Sequence, residues 1–156
     1  MIVIGYPGIG KSTLADRDRR YIDLDSNCFY VDGERDSRWF IPYCNIAEDL
    51  SRHGYIVFVS SHESVREHLR GSSENVVLVY PSIDLRDAWI SNLTERYHDT
   101  RLDKDHRALL HVNNYYEEEI LGMDTDKRFP YKLCFIDIDY DLEASLIHLM
   151  NREKIR

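Results

Sequence analysis

"GYPGIGKST" occupies residues 5–13, directly after the apolar run Met1-Ile2-Val3-Ile4. Gly5, Gly10, Lys11 and Ser12 complete the pattern G-x-x-x-x-G-K-[ST]. A buried strand that runs into a glycine-rich turn and then opens a helix lets backbone N–H groups converge on phosphate oxygens. On this reading the backbone of Gly8, Ile9 and Gly10 wraps the phosphates and Lys11 reaches the β- and γ-phosphates. The Ser12 hydroxyl ligates Mg²⁺, and Thr13 touches the α-phosphate. The expected ligand is a nucleoside triphosphate, accompanied by Mg²⁺. The loop specifies what is held and leaves the reaction open.

Working outward, strand and helix signals alternate. Strands are expected at 1–4, 21–25, 55–60, 75–81 and 132–138, several of them apolar on both faces. Helices are expected at 11–19, 42–54, 63–70, 82–97, 102–121 and 141–154, with Pro42 in a first turn and Gly54 closing a last one. Residues 26–41 are mixed and polar and predict irregular structure. Apolar strands alternating with helices predict a three-layer α/β fold with a parallel five-stranded sheet covered on both faces.

Composition narrows the partners. The 156 residues suit one domain, 1–156, and a 43% hydrophobic fraction is enough for a core. A formal net charge of −8 argues against non-specific nucleic-acid binding. Cys28, Cys44 and Cys134 show no paired or metal-type spacing, which suits a reducing, cytoplasmic setting. No leader pattern is expected, and no apolar run approaches the roughly 20 residues of a membrane span.

"YIDLD" places Asp23 and Asp25 on one side of the second expected strand, at its C-terminal end. Ligands of open α/β sheets bind there. Asp23 suits a Mg²⁺ ligand acting through water, and Asp25 suits a group that orients or deprotonates an acceptor. The alternative is a solvated strand end that shapes the following turn. The similar pair Asp137 and Asp139 precedes the last helix, where Asp139 or Asp141 could cap it.

The segment "LTERYHDTRLDKDHR" carries a resemblance. Together with the phosphate-binding loop and the strand-end acids, it resembles the small P-loop kinases of the nucleoside monophosphate kinase group, which includes adenylate and UMP-CMP kinases. The resemblance implies a strand order of 2-3-1-4-5 and an ATP-dependent phosphotransferase acting on a small-molecule acceptor, a nucleoside or deoxynucleoside monophosphate. It implies a lid-like segment at about 96–107, in which Arg96 and Arg101 meet the transferred phosphate beside Lys11. It also implies an acceptor-side insertion at about 27–41, in which Arg35 or Arg38 takes an acceptor phosphate beside aromatic residues.

The acceptor side departs from that group. The third expected strand ends "VSSHESVRE", which offers Ser61, His62 and Arg66. The post-lid helix reads His111-Val112-Asn113-Asn114 where the group carries an arginine. The D-x-D of strand two is similar to that of shikimate and gluconate kinases, which leaves a hydroxyl acceptor (a small metabolite or a 5'-hydroxyl nucleic-acid end) as the alternative. A regulatory nucleotide-binding protein is a third reading.

Overall fold

The computed structural model describes residues 1–155, so residue 156, the last of the expected domain, lies outside the described residues. The elements run β1 (Ile2–Gly5), α1 (Lys11–Arg17), β2 (Tyr21–Asp23), α2 (Phe40–Arg52), β3 (Ile56–Ser60), α3 (Glu63–Leu69), β4 (Val76–Pro81), α4 (Arg86–Thr100), α5 (Asp103–Thr125), β5 (Tyr131–Phe135) and α6 (Leu142–Glu153). The five strands form one sheet, all neighbours parallel, in the expected order 2-3-1-4-5. Helices cover both faces. Strands β1 and β4 are buried at every residue, as a central parallel strand requires, whereas edge strand β5 is buried only at Phe135.

β1 lies between β3 and β4, with Ile4 opposite both Val59 and Leu78. The chain leaves β1 toward β2 on one side of the sheet, and β4 and β5 lie on the other. The loop after β1 therefore sits where the strand order reverses, which is where such sheets bind ligands. Helix α2 starts two residues before Pro42, and Gly54 follows its cap at φ 90°, a left-handed conformation that suits glycine.

Three expectations are corrected. β2 ends at Asp23, and Asp25 instead caps a short 3₁₀ turn, Ser26–Phe29, by accepting from the Asn27 N–H at 2.8 Å. β5 ends at Phe135 because its partner β4 ends at Pro81, which faces it in the ladder, and the next residue, Ile136, is exposed. Residues 26–41 are not wholly irregular: they hold that turn, a Val31–Glu34 bridge and the start of α2. The 96–107 segment, expected to be lid-like, is the tight corner between α4 and α5. Arg101 makes that corner at φ 54°, with its N–H bonded to the Tyr97 carbonyl at 2.8 Å.

No described helix is long and apolar enough to cross a membrane.

Candidate active site

The loop of residues 5–13 is built as its glycines predict. Gly8 and Gly10 hold φ of 90° and 100°, and Gly10 caps α1. Gly5 is required for a different reason: a Cβ there would lie 2.5 Å from Ile9 Cδ1 and 2.9 Å from Lys11 Cδ. The loop is braced from α4, where Trp89 Nε1 donates to the Pro7 carbonyl at 2.8 Å. Trp89 in turn lies near-parallel to Tyr140, and Tyr140 stacks on Phe135 at 3.8 Å between ring centres.

Two clefts open on this loop. The first, about 610 Å³, lies between the loop, α4 and the segment leading into α6, and its apolar wall includes Trp89, Leu93, Ile138 and Tyr140. Thr13 and the backbone of Gly8, Ile9 and Gly10 line it. The second, about 360 Å³, lies between the loop, the ends of β2 and β3, and α5. Lys11, Asp23, Asp25, Ser61 and His62 line that one. Gly8, Gly10, Ser12 and Arg96 line both.

Lys11 is directed over the loop, its Nζ donating to the Gly5 carbonyl at 2.8 Å and the Tyr6 carbonyl at 3.2 Å. Burial lowers its pKa to about 8, outweighing the attraction of Asp23. Burial also raises the Asp23 carboxyl, with Lys11 opposing. The Asp25 Oδ1 accepts both the backbone N–H and the side-chain amide of Asn27, each at 2.8 Å. The turn-shaping alternative therefore describes this oxygen, although the carboxylate still faces the second cleft.

The end of β3 is tied to β2 by Tyr43 of α2, whose hydroxyl donates to the Leu24 carbonyl at 2.7 Å and accepts from the Ser60 N–H at 2.9 Å. His62 is pinned between Ser60 Oγ on Nδ1, at 2.8 Å, and the Arg35 guanidinium near Nε2, at 3.4 Å. Burial, reinforced by Arg35, lowers its pKa to about 4, so the imidazole is neutral at neutral pH. Arg35 is itself clamped, with its guanidinium carbon 3.7 Å from the centre of the Trp39 ring and 4.5 Å from that of Tyr30.

Three expected site residues stand outside both clefts. Arg101 is exposed and folds back along α4, with a nitrogen 3.1 Å from His98 Nδ1 and its guanidinium 5.6 Å from the Tyr97 ring. Arg38 is exposed beside Asp36, which accepts its backbone N–H at 2.7 Å. Arg66 turns toward α5, donating to the Ser61 carbonyl at 3.3 Å and approaching Gly122. The guanidinium in the second cleft after β2 is Arg35, and Arg107 joins it from α5, bonded to Asn27 Oδ1 at 2.9 Å.

Sequence reasoning passed over Asp105, Lys104 and the loop brace Trp89. Asp105 is 4% exposed and holds Arg96 at 2.8 Å. A carboxylate in the first turn of a helix ordinarily reads as a dipole partner, so nothing local marks it as the anchor of an arginine nine residues earlier.

The all-parallel sheet in the order 2-3-1-4-5, with helices on both faces, gives the chain a P-loop NTPase-like α/β fold. Among solved structures, the chain is similar to the tunicamycin resistance protein of Deinococcus radiodurans, with a TM-score of 0.56 over 99% of this chain and 96% of that one. Sequence identity is 12%, so the likeness speaks to the fold. No family model matches the chain, and no curated protein matches it.

Proposed function

We propose that this chain transfers the γ-phosphate of ATP, with Mg²⁺, to a small acceptor that already carries a phosphate, a nucleoside or deoxynucleoside monophosphate. The observation that carries the reading is the meeting of two clefts on one phosphate-binding loop, with Arg96 shared between them. A regulatory nucleotide-binding protein needs the first cleft and has no use for the second. The second cleft is also rich in cations: Lys11, Arg35, Arg96, Lys104 and Arg107 face it against Asp23, Asp25 and Asp105, the last already paired with Arg96. In a chain of net charge −8, that local excess suits an anionic acceptor.

The roles follow from position. The apolar wall of the first cleft takes the base, and Lys11 and Arg96 neutralise the group in transit. The Ser12 hydroxyl and the Asp23 carboxylate line the same cleft wall, and this donor set fits Mg²⁺, which keeps most of its waters and adds one or two protein oxygens to those of the phosphates. Bound there, the ion would neutralise charge on the β- and γ-phosphates. Asp25 orients the acceptor.

The Asp25 oxygen that takes no part in the Asn27 cap supports a second reading, a hydroxyl acceptor. In that case the hydroxyl oxygen attacks the γ-phosphorus, the bond to the β–γ bridging oxygen breaks, and Asp25 takes the hydroxyl proton. Coupled ADP-release assays across nucleoside monophosphates, nucleosides, sugars and 5'-hydroxyl oligonucleotides separate the two. Monophosphates are expected to raise turnover well above slow hydrolysis. Stimulation confined to neutral hydroxyl compounds would establish the second reading, and no stimulation by any acceptor would overturn both.

A further inference from the structure

We propose that His111 is an anion-binding residue of the second cleft, charged and oriented by Glu119, and that it holds the acceptor's own phosphate. The identity of the anion rests on reading that cleft as the acceptor site.

His111 lines the cleft from α5, and its Nε2 lies 2.8 Å from Glu119 Oε1. The other oxygen of Glu119 is buried and has no hydrogen-bond partner among the described residues. A carboxylate so placed needs a counter-charge close by. Tyr6, which follows Gly5 in the loop, brings its buried hydroxyl beside Glu119, close enough to interact with the carboxylate but without a hydrogen bond of ordinary geometry. Burial first, and then Glu119, push that phenol far above its usual range, so it stays neutral. The group that pairs with the other Glu119 oxygen is His111, and this hydrogen bond favours its imidazolium form. With Nε2–H directed to Glu119, Nδ1–H is a second donor, and Nδ1 has no partner among the described residues.

The surroundings explain why an anion belongs there. Lys104 and Arg107 face the cleft from the same helix, Lys11 from the loop, Arg35 from the segment after β2, and neutral His62 from the end of β3. Tyr115 packs its ring 5.2 Å from that of His111. These cations disfavour one more positive charge and the carboxylates of the same cleft, Asp23, Asp25 and Asp105, favour it, while the Glu119 hydrogen bond outweighs burial and raises the His111 pKa. Two histidines of one cleft are thus pushed in opposite directions, His62 down by burial and His111 up by its Glu119 hydrogen bond. A charged imidazole among like charges, with a carboxylate behind it, is poised for an oxyanion in front.

The test is an NMR titration of the intact protein with labelled histidines, His111 being assigned by its loss in His111→Asn. His111 is expected to titrate above the ordinary histidine range, and Glu119→Gln to bring it back down. With the loop filled by Mg·ADP, inorganic phosphate is expected to shift the His111 resonances. Both His111→Asn and Glu119→Gln should weaken phosphate binding roughly tenfold. Phosphate binding is expected to decline as pH rises and His111 loses its proton, and His111→Lys should restore binding without that decline. A His111 that titrates at or below the ordinary value, or phosphate binding unchanged in both variants, would overturn the proposal. None of these readouts needs phosphoryl transfer, so a failure of the kinase reading would leave them standing and be seen separately.

Discussion

Arg96 and Asp105 meet across the corner between α4 and α5, guanidinium to carboxylate, at 2.8 Å. Asp105 is also fixed by Thr100, whose hydroxyl donates to its second oxygen at 2.5 Å. The pair aims a cation that both clefts share, so its two halves should have separable effects. Arg96→Ala is expected to lower turnover about 10²–10³-fold, the scale of losing a preorganised cation at a phosphoryl group. Asp105→Ala should lower turnover about tenfold while leaving Arg96 in place, and should cost about 1–3 kcal/mol of stability. Steady-state kinetics beside urea melts would check both. An Asp105→Ala protein with full turnover would show that Arg96 needs no anchor.

Gly8 offers a sharper test of the loop. Its φ of 90° strains any other residue, and a Cβ would lie 3.1 Å from both Leu93 Cδ2 and Trp89 Nε1. That Trp89 nitrogen donates to Pro7, so Gly8→Ala presses on the bond that braces the loop. The expected result is a loss of nucleotide affinity of tenfold or more, as for one lost charge-assisted hydrogen bond. Gly33 has φ 80° with open space around it. Gly33→Ala should therefore carry only the backbone cost, about 1 kcal/mol, with nucleotide binding unchanged. Calorimetric titration with a non-hydrolysable ATP analogue distinguishes the two glycines, and equal effects would mean that the Trp89 contact is irrelevant.

The contrast between these glycines and the arginines shows what was legible in the sequence. The loop could be read because its spacing and context are local: every contact that defines Gly5 or Lys11 lies within a few residues. The sheet could be read because buried parallel strands are continuous apolar runs. Element ends were less legible, since β5 stops where a partner strand reaches Pro81, a fact about pairing rather than about "KLCFIDI". The arginines were least legible. Arg35 and Arg38 are three residues apart in one loop, and only the packing of Trp39 and Tyr30 around Arg35 brings it into the cleft. His111 stood out as a departure, but Glu119, eight residues on, carries no local sign of being its partner.

Lys11 should leave a pH signature. Burial lowers its pKa to about 8 in the free protein. A bound triphosphate favours the ammonium form, so the pKa rises on binding. Below about pH 8 Lys11 is already charged and nucleotide affinity should be flat. Above it, binding must take up a proton, and affinity should fall toward about tenfold per pH unit. Calorimetry at about pH 9 in buffers of different ionisation enthalpy should show uptake approaching one proton. Affinity that stays flat across this range, with no uptake, would mean that Lys11 is not the group gripping the phosphates.

Arg101 and Arg107 give the decisive comparison for the α4–α5 corner. The resemblance to monophosphate kinases implies that Arg101 meets the moving phosphate, yet its backbone makes the corner and its side chain lies on Tyr97 and His98, away from both clefts. Arg107 is one helical turn into α5, in the second cleft, where the amide oxygen of Asn27 is its bonded partner. Arg101→Ala is therefore expected to keep turnover within about threefold, the scale of an exposed charge. Arg107→Ala should raise the acceptor KM about tenfold with a smaller change in kcat, as expected for lost binding of the acceptor rather than of the transition state. If instead Arg101→Ala abolishes turnover while Arg107→Ala is silent, the corner must reopen during the reaction and carry Arg101 into the site, and the cation set of the second cleft would have to be redrawn around it.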